Sequence, residues 1–195
     1  MNVVMIGAGV ANVNAATKLV DNGFKGKITI IDMGKDPYLR PYEEVMTGFL
    51  GAGGWSDGKL TYHTSIGGLD QVIDNFKRFH PKPEEVQCSN PVAEPDFIKP
   101  YFGLRLFPVW HVGTDYLHEI GKNWYDFLVD GGVQFIWETK VDDIDFDNEW
   151  VYCDGEKIQY DELIFGVGKS GIDFGKKLAE KYNLPTEPKP VQIGV

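Results

Sequence analysis

Residues 3–12 read Val3-Val4-Met5-Ile6-Gly7-Ala8-Gly9-Val10-Ala11-Asn12. Four apolar residues in succession suit a buried parallel strand, and the glycines behind them allow a tight turn and close backbone approach to a ligand. A helix starting at Val10 then aims its free N–H groups and positive dipole end at that turn. A second strand-like run, Lys27 to Ile31, follows one helix later and leads into Asp32 and Met33. An acid in that position can accept hydrogen bonds from a ribose. The layout is that of the first half of a dinucleotide-binding unit. Gly7, Gly9, Val10, Ala11, Asn12, Asp32 and Met33 are its candidate cofactor contacts. Asn12 stands where the usual pattern has its third glycine, and its amide is read as a donor to phosphate. An ordinary strand–turn–helix is the plainer alternative.

The first helix is predicted over Val10 to Asp21, with Gly23 closing it in a left-handed cap. Residues 34–68 are rich in glycine and lack clear periodicity, and loops of that length inside a domain are usually functional or disordered. Leu69, Val72, Ile73, Phe76 and Phe79 then repeat at helical spacing up to Pro81. Pro91, Pro95, Pro100 and Pro108 mark the stretch to Trp110 as an excursion over the surface. Thr114 or Asp115 is expected to cap a third helix whose inner face is Leu117, Ile120, Trp124, Phe127 and Leu128.

Four strand-like segments follow in quick order, Val133–Trp137, Lys140–Phe146, Glu149–Cys153 and Glu156–Tyr160, with Asp154-Gly155 as a two-residue hairpin turn. Glu162 to Phe165 leads into a second glycine turn containing Gly166 and Gly168, then a short helix from about Asp173 to Tyr182. Val191 to Val195 reads as one more strand. The order implies an α/β fold, a Rossmann-like parallel sheet carrying an antiparallel β-meander.

The bulk composition bounds the partners. A formal charge of −10 argues against nucleic acid or an anionic membrane surface, while 43% apolar residues suffice for a sizeable core. The N-terminal apolar run is too short for a membrane span. Cys88 and Cys153 lie far apart and form neither a dithiol motif nor a zinc site, which fits a reducing cytoplasm without excluding one disulfide. No metal is expected.

One segment is more specific than the rest: Gly51-Ala52-Gly53-Gly54-Trp55-Ser56-Asp57-Gly58-Lys59-Leu60. It resembles the "GGAGTFSDGKL" loop of bacterial FAD-dependent dehydrogenases, the NAD(FAD)-utilizing type with a glutathione-reductase-like FAD-binding fold. His111 to Asp115 resembles that family's "HIGTD", Ile164 to Ser170 its "LAIGHSA", and Pro188 to Val195 its "PKPFAIGV". The resemblance implies FAD as cofactor and an adenine contact through the backbone at Val141. It further implies that residues 1–184 form an FAD-binding domain with an excursion over 34–112. Residues 185–195 would then open a strand toward a second, missing domain, because family members are much longer.

The residues of that loop have a physical reading of their own. Gly51, Gly53, Gly54 and Gly58 let the backbone pass close to a flat or charged ligand. Ser56 could donate to phosphate or flavin oxygens, Lys59 could place positive charge beside them, and Asp57 is read as orienting the loop. A glycine-rich surface linker with solvated charges stays open beside this. Gly166 and Gly168 are candidate cofactor contacts or a plain strand-to-helix turn. His63 and His111 are the histidines to inspect for proton transfer, with a structural role the alternative for each; no catalytic residue is assigned. Tryptophans, Trp55 included, are read as packing.

The expected function is an FAD-binding, oxidoreductase-type module handling hydride transfer with a small-molecule substrate. Self-association or a partner chain could cover what a missing domain would bury. The rivals are a degenerate nucleotide-binding module without catalysis and half of an NAD-dependent dehydrogenase.

Overall fold

Strands β1 (Asn2–Ile6) and β2 (Lys27–Ile31) are buried at every position but their first, the signature of strands covered on both faces. The computed structural model describes residues 1–63, 67–90 and 107–187. Pro91, Pro95, Pro100 and the stretch from Pro188 to Val195, read above as surface excursion and as a family-like strand, lie outside them.

Helix α1 (Val10–Asp21) returns the chain from β1 to β2 and closes at Gly23 (φ +66°), as its sequence predicts. Further on come β3 (Lys59–Thr61), α2 (Leu69–Arg78), β4 (Gln87–Ser89), β5 (Val109–His111) and α3 (Leu117–Asp130). The chain continues through β6 (Val133–Ile136), β7 (Val141–Asp145), β8 (Trp150–Cys153), β9 (Glu156–Gln159), β10 (Glu162–Phe165) and α4 (Ile172–Lys181). The central sheet has the order β10-β1-β2-β6 with every pair parallel. The first strand therefore sits inside, the next two step outward on one side, and the last is added on the other. The reversal between β1 and β10 is the switch point at which α/β sheets open a ligand crevice.

Register aligns the strand ends. Ile6 pairs with both Ile31 and Phe165, and Ile31 pairs with Ile136. All four strands consequently stop in step, and the segments that follow them emerge along one edge.

Alternation fills both faces. Val3, Met5, Ile28, Ile30 and Val133 pack with α1, α2 and α3, through Phe76, Ile120, Trp124 and Leu128. Val4, Ile6 and Ile31 pack with the meander β7-β8-β9 and α4, through Ile144, Val151, Tyr160 and Leu178. Buried polar groups pin the helices together. The Trp124 indole N–H donates to Thr17 Oγ1 at 2.7 Å, and Asn75 Nδ2 donates to Asn14 Oδ1 at 2.6 Å.

The hairpin between β8 and β9 has its turn residues Asp154 and Gly155 at φ +48° and +79°, the left-handed pair that such a two-residue turn requires. Two expectations are corrected. The excursion over 34–112 contains a three-stranded antiparallel sheet, β3-β5-β4, in which Lys59 and Gln87 both pair with His111. Neither Thr114 nor Asp115 caps α3. They lie in a 3-10 turn before it, and the Thr114 hydroxyl donates to the Asp57 carbonyl at 2.9 Å.

Candidate nucleotide-binding site

The turn after β1 is shaped by contact with the turn after β10. Gly7 has φ +93°, and a Cβ there would lie 2.4 Å from the Gly166 carbonyl oxygen, so only glycine fits. Gly166 N–H donates to Ile6 O at 2.9 Å and Gly7 N–H to Ile31 O at 2.8 Å, which ties three strand ends at the switch point.

Gly9 is the N-cap of α1. No side chain caps this helix and no acid lies in its first turn. The amides of Val10, Ala11 and Asn12 have no acceptor within the helix, as in any first turn, and the dipole adds partial positive charge there. Asn12 differs from its sequence reading. It is buried, and its Nδ2 donates to Ile6 O at 3.0 Å and Gly7 O at 2.8 Å. Both amide protons are spent on the turn, so Asn12 fixes the turn's shape and does not offer a donor to phosphate.

Asp32 is buried at the end of β2. Its Oδ2 accepts from Ala8 N–H at 2.7 Å, and its Oδ1 accepts from Gly34 N–H at 2.7 Å and Gly48 N–H at 2.8 Å. One carboxylate thus gathers the first glycine turn and both ends of the loop between Gly34 and Gly48. That loop is organised from within by Arg40, which sequence reasoning overlooked. The Arg40 guanidinium is buried and donates to the carbonyls of Glu44 (2.8 Å), Val45 (2.7 Å), Phe49 (2.7 Å) and Gly51 (3.2 Å). Burial pushes its pKa down to about 10, against the opposing pull of the Asp32 and Glu44 carboxylates. An arginine set among the turn residues Pro37, Pro41 and Gly48 was the available signal.

The second glycine loop lands on the first. Leu50 N–H donates to Ala8 O at 2.7 Å, and Leu50 and Gly9 form an isolated parallel bridge. Leu50 takes the left-handed conformation (φ +64°) and starts a 3-10 turn over Gly51–Gly54. A Cβ on Gly53 would stand 2.8 Å from Val10 Cγ2, and one on Gly51 would stand 3.6 Å from Gly9 Cα. Backbone therefore lies against backbone where α1 begins.

Beside this junction a crevice of about 170 Å³ opens along the strand ends. Gly7, Asp32, Met33 and Val141 line it, as do Met46 and Thr47 from the loop after β2, and Lys140, Val167, Ser170, Asp173 and Phe174 from the opposite side. Gly166 and Gly168 flank Val167 and bend the chain, Gly168 with φ +58°. Ser56, Asp57, Gly58 and Lys59 stand apart from this lining. Lys59 Nζ pairs with Asp57 Oδ2 at 3.3 Å with both side chains exposed, and Gly58 packs against Gly113.

Both histidines singled out for inspection lie away from the crevice. His111 Nε2 and Ser89 Oγ are 2.8 Å apart on the exposed small sheet, and His63 packs near Phe107; neither lines the crevice. His118, unremarked in sequence, is sandwiched between Tyr42 at 4.0 Å and Trp55 at 3.8 Å, while Arg40 covers the Trp55 ring at 4.4 Å. Burial, then the positive charges of Lys122 and Arg40, lowers its pKa.

No protein-family model matches the chain. An uncharacterized protein of Clostridium beijerinckii is 25% identical over 207 residues, covering 98% of this chain and 35% of its own length. The chain thus spans about a third of that relative. Among solved structures, a flavoprotein/dehydrogenase from Cytophaga hutchinsonii superposes with a TM-score of 0.54 at 19% identity, over 98% of this chain and 44% of that one. L-proline dehydrogenase from P. horikoshii gives 0.53 at 13% identity, over 95% of this chain and 56% of that one. At these identities the likeness concerns the fold, a Rossmann-like one that a flavoprotein also adopts.

Proposed function

We propose that the chain is the FAD-binding portion of a flavin-dependent oxidoreductase. The observation that carries the reading is the seating of the 50–54 loop on Gly9 and Val10, at the switch point of the sheet. That junction sets a glycine-lined loop against an uncapped helix start, whose amides at Val10, Ala11 and Asn12 are the donor set suited to a diphosphate. Asp32, Met33 and Val141 supply a half-apolar crevice for an adenosine end next to it. The residues present fit the group on those two counts.

In this reading α1 orients the diphosphate through the amides of Val10, Ala11 and Asn12, and Gly7 lets the turn before the helix pack directly on Gly166. Arg40 and Asp32 hold the loops in place. FAD, when bound, would supply the hydride-transfer chemistry. The substrate belongs to portions of a longer polypeptide or to a partner, since the chain spans 44% of the flavoprotein it resembles. Titration of the purified protein with FAD, followed by flavin fluorescence and the visible spectrum, tests the proposal. Saturable binding with flavin bands that co-purify supports it, and failure of FAD to bind overturns it.

A second reading has its own support: Lys59 is paired with Asp57 away from the crevice, which leaves that cation out of a flavin-binding role. An adenine-nucleotide module without flavin would bind ADP and not FAD in the same titration.

A further inference from the structure

We infer that this crevice recognises the adenosine ribose through one hydroxyl only, because Asp32 has a single acceptor site left to offer. The inference rests on the nucleotide reading above and deepens it. A carboxylate has two oxygens and about four lone-pair sites. In Asp32, three are filled by amides: Gly34 and Gly48 on Oδ1, Ala8 on Oδ2, all between 2.7 and 2.8 Å. What remains is one position on Oδ2, and Asp32 is among the residues that line the crevice.

The three amides do not yield easily. Gly34 and Gly48 stand back to back, since a Cβ on Gly34 would lie 2.2 Å from Gly48 N. Gly48 itself has φ +91° and abuts Lys35 O. Releasing either amide from Oδ1 would bury an unpaired N–H beside a buried carboxylate, and the Arg40 contacts with Phe49 and Gly51 hold the loop end where it is. Ala8 is held as firmly, because its carbonyl accepts from Leu50 N–H. A bidentate grip on the two ribose hydroxyls would need one of these segments to move. Asp32 is therefore a positioning residue first and a ligand to a single hydroxyl second.

The test uses the wild-type protein, so no variant need fold. ADP, 2′-deoxy-ADP and 3′-deoxy-ADP are titrated by calorimetry, and exchange of the Gly34 and Gly48 amides is followed by NMR with and without ADP. A hydroxyl bonded to a buried carboxylate is worth about tenfold or more in affinity. The expected result is a loss of that size for one deoxy analogue and less than about threefold for the other, with both glycine amides still protected in the ADP complex. Tenfold losses for both analogues, no loss for either, or exposure of either amide on binding would overturn the inference while leaving the nucleotide reading in place. No binding of ADP at all would overturn both.

Discussion

Asn12 and Gly166 compete for one volume: a Cβ on Gly166 would stand 2.5 Å from Asn12 Oδ1. The helix keeps a side chain where the usual motif has glycine, and the facing strand end gives up its own. Asn12 uses the space to bond two carbonyls at the end of β1. Gly166→Ala should destabilise the fold by about 1–3 kcal/mol through overpacking. Asn12→Ala should cost a similar amount, about 1–3 kcal/mol, by removing the Asn12 donor from the Gly7 carbonyl and leaving Ile6 O with Gly166 N–H alone. The double variant should fall short of the sum by about 1 kcal/mol, because the alanine at 12 vacates the space the alanine at 166 needs. Urea unfolding of the four proteins checks this, and strict additivity would contradict the shared-volume account.

Gly9 offers a way to separate stability from binding. Its backbone (φ −69°, ψ 170°) already suits an N-cap, and an added Cβ meets nothing closer than Gly166 O at 4.0 Å. Gly9→Asp should therefore cap α1 and complement its dipole, raising stability by about 0.5–1 kcal/mol. The same carboxylate would stand where a diphosphate is proposed, so ADP or FAD affinity should drop at least about tenfold. Thermal unfolding and a nucleotide titration on one preparation give both numbers. Unchanged affinity would count against the helix start as the anion site.

Local pattern made much of this legible. The strand, glycine turn and helix from Val3 to Asp21 follow from residues adjacent in sequence, and so does the Asp154-Gly155 hairpin. What escaped depends on distant partners. The strands of the small sheet are three residues each, and Lys59 finds His111 only after the α2 excursion, so no periodicity announces them. Sequence neighbours alone mark Asp32 as a ribose acceptor, but they hide the amides that fill three of its acceptor positions. The Gly48 amide that claims Oδ1 arrives from beyond a loop whose path no local rule predicts. The partners of Asn12 are hidden for the same reason, since they are carbonyls exposed only once β1 ends and turns.

Arg40 should prove irreplaceable by lysine. Its planar fork reaches four carbonyls while its face covers Trp55, and an ammonium can reproduce neither the geometry nor the stacking. Arg40→Lys should cost about 3 kcal/mol, with carbonyls left unsatisfied around a buried charge. The loop from Gly34 to Gly54 should loosen, visible as a shift in tryptophan fluorescence and faster amide exchange. Nucleotide affinity should fall with it. A lysine variant as stable as the parent would show that the guanidinium does not organise this loop.

His118 gives the stack a pH dependence with a definite sign. Its folded pKa lies below the ordinary 6.5, with burial, Lys122 and Arg40 as causes, so the unfolded chain takes up this proton first as pH falls. Between the two values the unfolded state binds more protons, and stability must decline as pH drops through 6.5 toward the folded pKa. His118→Phe keeps a ring between Tyr42 and Trp55 but cannot titrate. The remaining histidines are common to both proteins, so the difference in their unfolding free energies isolates this one group. From about pH 7 to pH 5 the parent should lose more stability than the phenylalanine variant. Parallel curves over that range would mean that the imidazole is protonated as readily in the stack as in the unfolded chain.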